Sequence, residues 1–192
     1  MIRELHLADL FTIANGLCGV AAIFAAMKFL VTHDALHVYL AGSLVLLALV
    51  FDVLDGKIAR WRHSASSLGR ELDSLADVIS FGVAPAAIAF AAGVDSPLDQ
   101  TILIFFALCG LSRLARYNVS AEALSAQTGK VEYFEGTPIP TSVVPLGLLI
   151  LAFHRGQLYP VELLRMELHL PVLLFLASGC LMISKTLRIP KP

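Results

Sequence analysis

Four aspartates in the first half of this chain stand at helical spacings: Asp52 and Asp55 three residues apart, Asp73 and Asp77 four apart. At about 100° per residue, Asp52, Asp55, Gly56 and Ala59 share one helix face covering roughly a quarter of the circumference. Gly69, Asp73 and Asp77 repeat at i, i+4 and i+8 and form a second stripe. Between them lies WRHSASS, a polar turn that lets two antiparallel helices bring both stripes together. Four carboxylates around one small volume repel, and in a low dielectric they take up protons or bind cations. All-oxygen coordination suits Mg²⁺, Mn²⁺ or Ca²⁺ rather than zinc. Two such ions about 3.5–4 Å apart are a known device for displacement at phosphorus. Gly56, Ala59 and Gly69 clear space for a planar group or a phosphate, and Arg60 and Arg62 can pair with phosphate oxygens. A lone aspartate at a helix end is most often a solvated or salt-bridged surface residue. Four of them at two helical spacings, facing glycines, are not explained that way.

The elements that carry these residues are apolar. The 192 residues are 57% hydrophobic and only 15% charged, with a mean hydropathy of +0.78 and a net charge of −1. That balance gives no attraction to nucleic acid and describes an integral membrane protein. Six apolar runs approach the length of a bilayer span: 10–31, 36–58, 71–92, 98–118, 138–154 and 168–187. The fold expected is therefore all-α, one membrane domain over residues 1–192 with six transmembrane helices. Ile2, Leu5 and Leu7 suit a short interfacial helix ahead of the first span rather than a cleaved signal. With the N-terminus inside, eleven Lys and Arg residues fall on the inner side and three, Lys28, Arg155 and Arg165, on the outer. The positive-inside rule then puts both termini, and the aspartates, at the cytoplasmic face. Ionisable groups at membrane depth are costly and mark function by default.

Two other patterns carry less. Cys18, Cys109 and Cys180 are scattered, odd in number and inside spans, so they read as small buried hydrophobes. His33 and His37 have a zinc-compatible spacing but sit in the outer loop with no third ligand.

The string Asp52-x2-Asp55-Gly56-x2-Ala59-Arg60-x8-Gly69-x3-Asp73-x3-Asp77 resembles the signature of the CDP-alcohol phosphatidyltransferases at every position. The resemblance implies a six-helix membrane enzyme, in its family commonly a homodimer, that moves a phosphatidyl group from a CDP-linked lipid to an alcohol and releases CMP. It implies divalent metal, Mg²⁺ or Mn²⁺ and two ions, on Asp52, Asp55, Asp73 and Asp77, with Asp77 as general base. Nucleotide and diphosphate would then lie against Gly56, Ala59, Arg60 and Gly69, within reach of Thr12 and Asn15 on the first helix. Interhelical hydrogen bonding is the competing role for that last pair.

Four further stretches, FTIANGLCG (11–19), LDSLADVISFGVAPA (72–86), RLARYN (113–118) and YFEGTPIPT (133–141), resemble the phosphatidylserine synthase branch of that family. The last departs from it at Thr137 and Thr141. Serine presents a carboxylate, an ammonium and a hydroxyl; Arg113, Arg116 and Asn118 offer groups that can meet it. Two arginines would equally suit glycerol 3-phosphate or inositol phosphate, or could anchor to lipid headgroups, and the resemblance is what favours serine. Pro138 and Pro140 either shape a wall of the acceptor pocket or simply start the fifth helix. A small cation transporter is the rival from another class. Such a protein needs carboxylates near mid-membrane and a relay to the other face.

Overall fold

The computed structural model describes residues 7–62, 67–125, 133–163, 166–184, 186 and 188–190; of these, the side chains of 7–8, 59–62, 67, 120–125, 133–135, 163, 166 and 188–190 are not described. Helices α1 (Leu7–Thr32) and α2 (Leu36–Arg62) form an antiparallel hairpin. Asp34 opens α2 by accepting the Leu36 N–H at 2.9 Å, a local cap for a backbone donor without a helical partner. His33 sits in the turn with φ 53°, so His33 and His37 do not share one helix face.

The third rod is α3 (Ser67–Asp77), a π-helical turn over Val78–Val83 and α4 (Ala84–Ala91). The wide turn shows in the Ala84 N–H, which donates to Ile79 O, five residues back. Pro85 supplies the cause, because it lacks an N–H and its ring crowds the carbonyl four residues earlier. Ser96 and Asp99 then cap α5 (Pro97–Ser125) reciprocally: Asp99 N–H donates to Ser96 Oγ at 3.1 Å and Ser96 N–H to Asp99 Oδ2 at 3.2 Å.

The last third mixes short pieces. Strand β1 (Tyr133–Glu135) leads to a 3-10 turn at Ile139–Ser142 and α6 (Val143–His154). Strands β2 (Pro160–Leu163) and β3 (Met166–His169) make a hairpin, followed by α7 (Val172–Ile183) and β4 (Arg188–Pro190), which pairs antiparallel with β1.

Four stretches are long and apolar enough to cross a membrane: Asp9–Thr32, Leu36–Ile58, Leu68–Ala91 and Pro97–Val119. The expected spans 138–154 and 168–187 hold shorter apolar helices, Ile139–His154 and Val172–Ile183. The first is a 3-10 turn plus α6, and the second is the end of a hairpin, a 12-residue helix and extended chain from Ser184. Twelve residues rise about 18 Å, against roughly 30 Å of hydrocarbon. The two small ribbons also qualify the all-α expectation. The interfacial helix expected at Ile2 and Leu5 lies outside the described residues, and Leu7 is already part of α1.

The interior is lined by small residues and the exterior by large apolar ones. Ala22, Ala25, Ala26, Ala41, Val45 and Ala48 are buried, while Leu17, Phe24, Met27, Leu46, Leu47 and Val50 are exposed. Water would not tolerate that arrangement; lipid does, and small residues let helices approach closely. Phe81, Ile88 and the edge-to-face pair Phe106–Phe175, 5.2 Å between ring centres, fill the centre. The cysteines are all free, with Cys18 and Cys109 buried and Cys180 exposed.

Candidate active site

α2 delivers Asp52 and Asp55, and α3 delivers Asp73 and Asp77, to one end of the bundle. One carboxylate oxygen from each of Asp52, Asp55 and Asp73 lies within 4.8 Å of the other two. Asp77 is buried alongside, within electrostatic range of all three. At an effective dielectric of about 20, charges that close repel by roughly 3–4 kcal/mol per pair. The cluster could hold a metal ion, whose charge would offset that repulsion.

α1 holds the acids in place. Thr12 Oγ1 donates to Asp55 Oδ2 at 2.9 Å, and Asn15 Nδ2 donates to Asp77 Oδ1 at 3.0 Å. Close approach makes both bonds reachable. A Cβ on Gly16 would sit 3.5 Å from Ala76 Cβ, and one on Gly19 would lie 2.4 Å from Ser80 Oγ and 2.8 Å from Ser80 Cα. Ser80 Oγ in turn donates to the Asn15 carbonyl at 2.9 Å. Thr12, Asn15 and Gly19 therefore act as interhelical contacts, two of them directly on the aspartates.

Buried Asp73 Oδ1, Asn15 Oδ1 and Arg113 Nε have no hydrogen-bond partner. Buried polar atoms are normally satisfied, so these orphans mark unmet valences. Orphaned oxygen on Asp73, beside converging oxygens from Asp52 and Asp55, fits a hard divalent cation.

The remaining residues singled out in the sequence fall as follows. Gly56 is half-buried, and a Cβ there would meet nothing within 4 Å, so space is open above it. Gly69 is half-buried on α3. The side chains of Ala59 and Arg60 lie outside the described residues. Arg113 is 8% exposed and within electrostatic range of Asp77, Tyr117 and Arg116. Arg116 points elsewhere, donating from Nη2 to the Ile183 carbonyl at 3.3 Å. Asn118 bonds Glu71 and Ser74 of α3. Pro138 is followed by the 3-10 turn, where Thr141 Oγ1 donates to the Pro138 carbonyl at 2.7 Å and Ile139 is fully buried.

Some participants escaped the sequence reading. Asp9 is buried and within electrostatic range of Asp55; its signal was its place three residues before Thr12 on the same face. Ser80, Glu71 and Ser74 gave no signal beyond lying in motif stretches. The π turn was announced by Pro85.

The model of the CDP-alcohol phosphatidyltransferase family matches residues 5–183. Among curated proteins, a CDP-diacylglycerol–serine O-phosphatidyltransferase of Saccharomyces cerevisiae is 45% identical over 201 residues, covering 100% of this chain and 73% of that protein. A Helicobacter pylori protein of the same name is 34% identical over 192 residues, 98% of this chain and 74% of its own. An archaetidylserine synthase of Methanothermobacter thermautotrophicus is 36% identical over 155 residues, covering 79% of this chain and 60% of its own. With the match running through all four aspartates and nearly the whole chain, the protein belongs to the CDP-alcohol phosphatidyltransferase family.

Proposed function

We propose that this chain transfers a phosphatidyl group from a CDP-linked lipid to the hydroxyl of L-serine, releasing CMP. The observation that carries the reaction is the convergence of Asp52, Asp55 and Asp73 oxygens beside a buried Asp77 tied to Asn15. Support for serine comes from the relatives, whose names share that acceptor and differ in the lipid. Diacylglycerol is the backbone in the yeast and Helicobacter names, and we adopt it here.

A divalent metal pair, Mg²⁺ or Mn²⁺ on Asp52, Asp55, Asp73 and Asp77, supplies when bound the positive charge that offsets the diphosphate and the transferring phosphoryl group. Asn15 fixes Oδ1 of Asp77, and we assign Oδ2 to take the serine hydroxyl proton. The serine oxygen forms its bond to the lipid-side phosphorus as the bond to the CMP oxygen breaks. The open space above Gly56, with Ala59 and Gly69, receives the cytidine, and Arg60 pairs with the diphosphate. Thr12 and Asn15 act on the nucleotide side through the carboxylates they hold. Arg113 lies on the acceptor side, its guanidinium meeting the serine carboxylate, while Arg116 and Asn118 brace that side through the Ile183 carbonyl and α3.

Six membrane crossings with both termini in the cytoplasm are proposed from the Lys and Arg distribution, α6 and α7 completing their crossings with the flanking turns. The site then opens to the cytoplasm from the cell membrane. A single membrane domain and a homodimer are proposed on the family resemblance alone.

The test is CMP release by purified protein in detergent with CDP-diacylglycerol and Mg²⁺ or Mn²⁺. Serine, glycerol 3-phosphate, inositol phosphate and no acceptor run in parallel, with Asp77→Asn as control. Serine-dependent release that disappears in the variant is the expected result. Release with a phosphorylated acceptor alone would keep the chemistry and overturn serine; no metal-dependent release at all would favour cation transport.

A further inference from the structure

At the end of the bundle away from the aspartates, α2 and α6 run antiparallel and leave a groove between them. It extends along α2 from Tyr39 to Leu46 and along α6 from Val143 to Ile150, and encloses about 250 Å³. Two glycines shape it. Gly42 is buried, and a Cβ there would run into Ile150 Cδ1, so the helices touch at the floor of the groove. Gly147 is exposed, and a Cβ there would meet nothing within 4 Å, so the groove lies open beside it. Ser43 Oγ donates to the Tyr39 carbonyl at 2.8 Å, which leaves the walls apolar.

The groove is not a branch of the aspartate site. At about 100° per residue, the face holding Tyr39, Gly42, Ser43 and Leu46 lies roughly 160° around α2 from the face carrying Asp52 and Asp55. A polar rim closes its far end. Tyr39 OH lies 3.0 Å from His154 Nδ1, and the Tyr39 ring packs on Phe153, itself edge-to-face with Phe29 at 5.6 Å. Amphipathic rings of this kind gather at membrane–water boundaries. Tyr39 is the fourth residue of the span Leu36–Ile58, which puts the rim at such a boundary and the groove in the hydrocarbon below it. Arg155 follows His154, is exposed and has no ion-pair partner among the described residues. Asp34, the acid nearest to Tyr39 in sequence, is occupied with the α2 cap.

Dimensions choose the occupant. Seven residues of helix rise about 10 Å, and about 250 Å³ spread over that length is a cross-section of about 25 Å². A second helix, about 10 Å across, needs about 80 Å². A single hydrocarbon chain is the slender apolar object that a membrane supplies, and about eight of its carbons cover 10 Å at roughly 1.3 Å each. Apolar cavities of about 150 Å³ hold a benzene ring, so the volume agrees with that length of chain.

We propose that this groove binds one acyl chain of a phospholipid from the leaflet opposite the aspartates, with the lipid phosphate against Arg155. This lipid is not the substrate; it fills the seam between α2 and α6.

Two variants test it. Gly147→Leu puts a side chain into the open part of the groove, and Arg155→Gln removes the rim charge without entering it. Delipidated protein in detergent is titrated with dioleoyl phosphatidylglycerol and read by non-denaturing mass spectrometry, with CMP release and unfolding temperature alongside. Wild type is expected to take up one saturable lipid per chain. Gly147→Leu should weaken that binding by about tenfold or more, because it takes the contacts of the chain. Arg155→Gln should weaken it by about threefold or more, through loss of a charge-assisted bond. The KM for CDP-diacylglycerol and kcat stay within about twofold of wild type in both. Absence of a saturable adduct in wild type overturns the proposal, as does unchanged affinity in either variant; Arg155→Gln decides alone if Gly147→Leu does not fold. A raised KM for CDP-diacylglycerol in Gly147→Leu would give the groove to a substrate chain, and a lost dimer would give it to a second copy; each overturns the proposal. The titration is read in the same way whichever acceptor the enzyme uses.

Discussion

A buried carboxylate and a half-buried one, at opposite ends of the bundle, show what distinguishes a tie from a site. Asp99, 0% exposed, accepts from the backbone N–H groups of Ser96 at 3.2 Å and His169 at 3.1 Å, and its Oδ2 lies 2.6 Å from His169 Nδ1. It fastens the start of α5 to β3, with partners on both oxygens. Asp73 is also sheltered, yet its Oδ1 has no partner and its neighbours are two more carboxylates. The residue type is the same, and Asp73 Oδ1, like the Asp99 carboxylate, is shut off from water. What differs is whether the protein supplies the counterpart. Where it does, the charge holds the fold; where it withholds one, the charge is left for a ligand.

That contrast can be broken most directly by neutralising one member of each pair. Asp73→Asn is expected to lower CMP release by about a thousandfold or more, as removal of a metal ligand does. Its unfolding temperature without metal should hold or rise, since one repulsion is gone. In wild-type protein treated with chelator, restoring Mg²⁺ or Mn²⁺ should raise the unfolding temperature, and in Asp73→Asn much less. Asp99→Asn should do the reverse. An amide nitrogen in place of one Asp99 oxygen meets a donor where that oxygen accepted a bond, and leaving that buried donor unmet costs about 1–3 kcal/mol, read as a fall in unfolding temperature, while activity per folded molecule stays near wild type. If Asp99→Asn instead abolished activity in a stable protein, the division between tie and site would fail.

Smaller changes sharpen the same comparison. Asn15→Ala and Thr12→Val leave all four acids but release Asp77 and Asp55, and each should reduce activity by about 10–100-fold, the usual cost of freeing a metal-site carboxylate. Metal titration of these variants should show weaker affinity. Gly56→Ala should have the least effect. A methyl group there meets nothing in the protein, so stability should be unchanged, and a rise of several-fold in KM for the CDP-lipid would report a ligand occupying that space. No change in KM would move the nucleotide away from Gly56.

The aspartates were legible because their information is local: i, i+3 and i, i+4 spacing fixes a helix face without knowledge of the fold. Their grouping needed only the assumption that α2 and α3 pack antiparallel. Thr12 and Asn15 were legible as candidates, but their duty depended on how closely α1 lies on α3, which Gly16 and Gly19 set across a contact that composition does not encode. Asp99 and His169 are 70 residues apart, and nothing in either neighbourhood announces the other. The last third was less legible for a plainer reason. Hydropathy counts apolar residues whether or not they are helical, so Leu168, buried in a hairpin, scored like a residue of a span. Pro85 lay inside the expected span 71–92, with no reading of its own, in a helix that it reshapes.

The wide turn at Val78–Val83 has a consequence for what this stretch tolerates. A π turn accommodates an additional residue relative to the regular ladder. The extra residue is spent in widening one revolution, so the faces before and after the turn keep the phase of an uninterrupted helix one residue shorter. Removing one residue at the turn would therefore close the rod into uniform helix with Asp73 and Asp77 still on their face and Ile88 and Ala89 still on theirs. The same deletion in the regular part of α3 or α4 would swing everything beyond it by about 100° and part the acids from the packed half. The stretch works as a slack link that keeps two halves of one helix in step.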